Sequence, residues 1–191
     1  MSEMRKVSGF TLVELVVVIV ILAILAVVAV PRFISVSQDA HDSAVKGAFA
    51  AFTSGVSLYH SCWAASGASG HVVDLACFGD GTLDSTTTGY PLGQATQTGG
   101  NNGTQLQGDF CRQLWQGLLD NNEYQLALHG DAAFGGSNDI VYWYSGGKIE
   151  ESNTYCYFNY IRDNRAKGSE NWQLRYYPGT GKTLITRSTL S

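Results

Sequence analysis

Proline is scarce in this chain, with three in 191 residues, and basic side chains are outnumbered by acidic ones, 12 against 16. The net charge of −4 offers no excess of cations for a phosphate backbone, so no nucleic-acid partner is expected. The usual signatures of catalysis are missing as well. There is no Gly-x-Ser-x-Gly elbow, no P-loop and no dinucleotide-type glycine pattern after a strand. His41, His60, His71 and His129 are scattered, and none forms HExxH or another metal spacing. The cysteines make no Cys-x-x-Cys pair and have no histidine at ligand spacing, which argues against zinc. Asp80-Gly81-Thr82-Leu83-Asp84 begins like a calcium loop but lacks the third ligand and terminal Glu of an EF-hand. These gaps argue against an enzyme and imply no cofactor.

What is present is concentrated at the N-terminus. From Phe10 to Val30 the only charge is Glu14 and the only other polar side chain is Thr11. A helix of this length, rising ~1.5 Å per residue, reaches across a hydrocarbon core of ~30 Å. The Val, Ile and Leu content does not oppose a helix there, because a spanning segment must satisfy its own backbone hydrogen bonds. Glu14 is the anomaly: a carboxylate in such a segment is costly without a cationic partner and reads as functional. An ordinary secretory signal cut after Ala29, where Val27 and Ala29 fit the small-residue rule, leaves Glu14 without purpose. A plain membrane anchor does not account for Gly9-Phe10 and Glu14 together.

Arg5-Lys6-Val7-Ser8-Gly9 followed by Phe10-Thr11-Leu12-Val13-Glu14, with the apolar run and Pro31 behind it, resembles the class III signal of type IV pilins and type II secretion pseudopilins. The resemblance implies that a prepilin peptidase cuts between Gly9 and Phe10 on the cytoplasmic side and methylates the new Phe10 amine. It implies residues 1–9 as a cleaved leader, 10–31 as a transmembrane and filament-core helix, and 32–191 as the rest of the helix plus a periplasmic pilin domain. Phe10, Glu14 and Pro31 are then assembly residues. Arg5 and Lys6 before the span, with an acidic domain after it, agree with a leader in the cytoplasm.

Pro31 removes one helical hydrogen bond, and a kink or loosening is expected near Val27. Beyond it Val45, Phe49, Phe52, Val56, Tyr59 and Trp63 recur at helical spacing as one stripe, read as core. Gly47 and Gly55 each weaken the helix by about 1 kcal/mol relative to Ala, so packing must hold this half. The helix is expected to run from Phe10 to about Cys62 and to stop in the glycines of Ala64–Gly70. His71 to Gly108, rich in Gly, Thr, Asn and Gln, reads as an irregular connection on a sheet edge. Within it Thr88-Gly89-Tyr90-Pro91 resembles a turn of pilins of the mannose-sensitive haemagglutinin group.

Asp109 to Asp120 predicts a short helix, with Asp109 a candidate cap and Phe110, Cys111, Leu114, Trp115, Leu118 and Leu119 its apolar face. Strands are predicted at Ile140–Ser145, Thr154–Ile161, Trp172–Tyr177 and Leu184–Thr186. Their breaks are Gly146-Gly147, Asp163-Asn164 with Gly168, and Pro178-Gly179 with Gly181. The aromatics Tyr142, Trp143, Tyr144, Tyr155, Tyr157 and Tyr160 are read as strand packing. The fold class expected is α+β, a long N-terminal helix packed on a C-terminal antiparallel sheet of three or four strands. Cys62, Cys77, Cys111 and Cys156 all follow the apolar run, so an exported domain with two disulfides is expected. Of the three possible pairings, sequence proximity alone favours Cys62–Cys77 and Cys111–Cys156.

What the resemblance implies for function is a structural subunit of a pilus-like filament serving surface attachment or adhesion. Its partners are copies of itself and other pilins, the prepilin peptidase, and the inner-membrane assembly platform with its ATPase. Before assembly it sits in the inner membrane, and afterwards in an extracellular pilus. Two alternatives stand beside this. One is a minor tip pilin or adhesin binding a surface glycan through the Gly79–Gly108 loop. The other is a pseudopilin of type II secretion, which two disulfides and a longer domain make less apt.

Overall fold

The structure, a computed structural model, describes residues 10–94, 101–119, 123–134, 136–163 and 168–190. The chain divides into two compact units, Met1–Ala40 and His41–Ser191. One helix, α1 (Leu12–Ala65), contributes to both and continues through Pro31. The proline ring still removes the N–H that would meet the Val27 carbonyl. In the first unit the apolar side chains from Leu12 to Val36 are largely exposed.

In the second unit Val45, Phe49, Phe52 and Tyr59 are fully buried and Val56 nearly so, while Trp63 at the end of the stripe is half-buried. Burial of such side chains is worth ~1.5–3 kcal/mol each, which outweighs the weak propensity of Gly47 and Gly55. The helix ends where Ser66 N–H reaches the Cys62 carbonyl (2.9 Å), and Gly67 takes a left-handed φ of 72°. Few side chains but glycine accept that conformation, so the chain turns off there.

The stripe packs on a five-stranded sheet of order β3-β4-β5-β6-β7: β3 (Leu126–Leu128), β4 (Ile140–Ser145), β5 (Tyr155–Tyr160), β6 (Glu170–Tyr177) and β7 (Lys182–Thr189). The Phe52 ring lies 5.3 Å from Phe158 and 5.6 Å from Tyr176, in the tilted and edge-on geometries that aromatic quadrupoles favour. From β4 to β7 every pairing is antiparallel. The expected all-antiparallel sheet needs one correction, because β3 pairs with β4 in parallel. That strand has three residues, too short to show a period of two. On the opposite face, Ala133, Val141, Ile161 and Leu190 form a smaller buried cluster.

The second helix, α2 (Phe110–Leu119), buries Phe110, Cys111, Leu114, Trp115 and Leu118, with Trp115 centred 5.1 Å from Phe158. Asp109 precedes it, and its carbonyl accepts Gln113 N–H. Its carboxylate, read as a cap, instead accepts the Tyr142 hydroxyl (2.6 Å) and pairs with Arg112. The disulfides join Cys62 to Cys77 and Cys111 to Cys156, so the second one fastens α2 to β5.

The segment from His71 to Gly108 does more than connect. Leu75, Leu83, Leu92 and Leu106 are buried in the main core, and β1 (Asp84–Ser85) pairs antiparallel with β2 (Pro91–Gly93). Two core tyrosines hold this hairpin by its carbonyls, Tyr59 to Leu83 (3.0 Å) and Tyr176 to Pro91 (2.6 Å). Residues 95–100 and Asn164 lie outside the described residues.

Candidate functional site

The charged point of the apolar segment is Glu14, and its geometry is set by Thr11. The Thr11 backbone N–H donates to Glu14 Oε2 at 2.9 Å, and the Thr11 hydroxyl donates to the same oxygen at 2.7 Å. In return the Glu14 N–H points at the Thr11 hydroxyl oxygen (3.3 Å), and the Thr11 carbonyl accepts Leu15 N–H (3.2 Å). This is a capping box: a Thr at the helix start and a Glu three residues on exchange hydrogen bonds that the first turn otherwise lacks. Thr11 is thus a partner of Glu14 within its own chain, which charge and hydropathy alone do not identify. The signal was visible, since Thr-x-x-Glu before an apolar run is a known helix-start pattern.

Phe10 precedes the helix and is 85% exposed, while Gly9 lies outside the described residues. Pro31 lies further along the same helix, on its exposed surface. Leu12–Ala65 contains the one span among the described residues that is long and apolar enough to cross a membrane, and none of that span is buried. Against protein families, residues 4–30 match the family described as the prokaryotic N-terminal methylation motif.

The N-terminus is therefore a class III prepilin-type signal. Such a signal implies processing by prepilin peptidase and assembly into filaments, and it belongs to structural subunits of the pilin and pseudopilin type. Motif and apolar helix together fit anchoring in the inner membrane before assembly. The α+β architecture, a long helix against a mostly antiparallel sheet with two disulfides, is pilin-like. No curated protein and no solved structure matches the chain.

The structure does not gather the other titratable residues. His41 meets the Tyr160 hydroxyl (2.7 Å), His60 the Gly89 carbonyl (3.1 Å), His71 the Ser85 carbonyl and His129 the Tyr157 hydroxyl. His60 and His71 thus tie to the β1–β2 hairpin, and His41 and His129 to tyrosines of β5, each through its own hydrogen bond. Among the described residues no three His, Cys, Asp or Glu side chains are placed to hold a metal. In the Asp80–Asp84 loop the two carboxylates have separate uses. Asp80 folds back on Thr82, and buried Asp84 accepts the Asp74 N–H at 2.8 Å. The aromatics divide by strand face: Tyr142, Tyr144 and Tyr160 join the main core, and Trp143, Tyr155 and Tyr157 alternate to the other side. Burial pushes the Tyr157 and Tyr160 phenols up to about 12 and Tyr142 higher still, where the Asp109 carboxylate adds to the effect.

Proposed function

We propose that this chain is a structural subunit of a type IV pilus-like filament that serves surface attachment. Prepilin peptidase cuts between Gly9 and Phe10 and methylates the freed Phe10 amine, with the domain following Pro31 on the periplasmic side of the inner membrane. In the growing filament the Phe10 ammonium of one subunit meets the Glu14 carboxylate of its neighbour. A carboxylate and an ammonium are each costly in an apolar medium, so bringing them together sets docking depth and register.

The observation that carries this reading is the Thr11–Glu14 box within a matched methylation motif. Both Thr11 bonds fall on Oε2, so Oε1 is not used by them. The box orients the carboxylate while leaving an oxygen for an incoming cation. The apolar run Leu15–Val30 moves from lipid into a bundle of like helices. Because lipid tails are as apolar as these side chains, the gain is close packing. The inner-membrane platform and its ATPase supply the work, and this chain needs neither a cofactor nor a catalytic activity. The test is Glu14→Ala, with the leader removed normally and surface filaments lost. Normal filaments in that variant would contradict the pairing.

A further inference from the structure

The two disulfides meet solvent differently. Cys111 and Cys156 are buried, at 1% and 0% exposure, whereas Cys77 is exposed and Cys62 half-buried. We propose that Cys62–Cys77 is a thiol-exchange site, which a dithiol reductant opens and an oxidant closes again while the domain stays folded. The inference concerns His41–Ser191 and does not depend on filament entry.

Exchange requires a thiolate to reach one sulfur of the disulfide, so access decides which bond reacts. At Cys77 the thiolate arrives from solvent. It attacks Cys77 Sγ, the S–S bond breaks, and Cys62 Sγ leaves and takes a proton from water. The second thiol of the reductant then attacks its own sulfur in the mixed disulfide and frees Cys77. Two electrons and, on balance, two protons pass from the dithiol to the protein, and the dithiol ends as a disulfide. Cys111 on α2 and Cys156 on β5 lie inside the main core, beside Trp115 and Phe158 in sequence and cluster. Attack there has to wait for α2 and the sheet to part, a larger opening than a surface loop needs.

Once open, the two thiols stay neighbours, because other ties hold the loop to the helix. Cys77 stands between two fastened residues. Leu75 is buried and its N–H bonds the Leu83 carbonyl (3.0 Å). Phe78 packs edge-on against Tyr59, one turn before Cys62 on α1, with ring centroids 5.2 Å apart. At the start of the loop Trp63 Nε1 donates to the Gly70 carbonyl (3.1 Å). Val72 N–H then donates to the Ser85 hydroxyl (2.8 Å), and the Val72 carbonyl accepts Ser85 N–H (2.8 Å). None of these contacts involves sulfur. The Cα atoms of Cys62 and Cys77, 6.0 Å apart in the closed form, are therefore kept within bonding reach. Thiols held side by side act at a high effective concentration, which favours reclosure over pairing with any other cysteine.

The experiment treats the full-length protein in detergent micelles with dithiothreitol, without denaturant and at mildly alkaline pH. Samples are alkylated with iodoacetamide over time and mapped by peptide mass. Cys62 and Cys77 are expected to be labelled about tenfold faster than Cys111 and Cys156, or more. Near-ultraviolet circular dichroism, which reports the packing of Trp115 and the buried tyrosines, should keep its native form when the first pair is labelled. Replacing dithiothreitol by its oxidised form, before any alkylation, should restore Cys62 to Cys77. Three results would overturn the proposal: labelling of all four cysteines at one rate, loss of the near-ultraviolet signal along with the first two labels, or a pair that stays open or mispairs when the oxidant is added.

Discussion

Thr11 and Glu14 bind each other in both directions, and both bonds that Thr11 donates arrive at one carboxylate oxygen, Oε2. The residue that gives the first turn its cap is thus the same residue that gives the filament its proposed ionic contact. Helix initiation and subunit recognition therefore share a side chain, and they separate by substitution. Thr11→Val keeps the backbone donor and loses the hydroxyl. Filament yield on sheared cells should fall several-fold, to a level between wild type and Glu14→Ala, with leader removal unchanged. Thr11→Ser, which restores the hydroxyl, should return the yield to near wild type.

The proposed cut falls after Gly9. Gly9→Leu is expected to leave the leader attached, which mass measurement of the membrane-bound protein detects as an uncut N-terminus. Glu14→Ala should show the cut N-terminus in the same assay, so the two variants distinguish recognition by the peptidase from assembly.

The glycines of α1 make opposite predictions. A Cβ at Gly47 meets nothing within 4 Å, whereas one at Gly55 lies 3.1 Å from the Leu118 carbonyl oxygen and 3.3 Å from its Cβ. Gly47→Ala should therefore stabilise the domain by ~0.5–1 kcal/mol, the ordinary gain in helix propensity. Gly55→Ala should show no gain or a loss, since α2 backbone would have to move. Thermal melts of the two variants, measured in parallel, decide this.

Much of this arrangement is legible in the sequence, and the reasons differ by element. The Val45–Trp63 stripe is long and strictly periodic, so burial follows from spacing alone. β4 to β7 are bounded by glycine and proline turns, and their positions are close to the predicted ones. β3 is not legible, because three residues beside a parallel neighbour carry no alternation. Leu75, Leu83, Leu92 and Leu106 are isolated leucines in a polar stretch, and only tertiary structure shows that they enter one core.

The disulfides close loops of different length, with separations of 15 for Cys62–Cys77 and 45 for Cys111–Cys156. On the chain-entropy argument their removal costs about 3 and about 4 kcal/mol, respectively. Cys111→Ala/Cys156→Ala should lower the denaturation midpoint more than Cys62→Ala/Cys77→Ala. Unreduced peptide mapping should recover Cys111 with Cys156 and Cys62 with Cys77.

Buried tyrosines make the domain sensitive to alkali. Tyr157 and Tyr160 titrate near 12 in the folded domain because burial disfavours the phenolate, against ~10 in an unfolded chain. Below the unfolded value both states hold the proton and the contribution to stability is complete. Above it the unfolded chain releases protons first, so stability falls as pH rises from about 10 towards 12. Thermal midpoints should be level from neutral pH to about 9 and then decline; Tyr157→Phe should reduce the slope.

The central claim is that Phe10 becomes the first residue and carries the amine that Glu14 meets. N-terminal sequencing and mass analysis of protein sheared from the cell surface tests it most directly. The account predicts a filament protein that begins at N-methylated Phe10. A soluble product beginning at Val30, cut after Ala29, would contradict it.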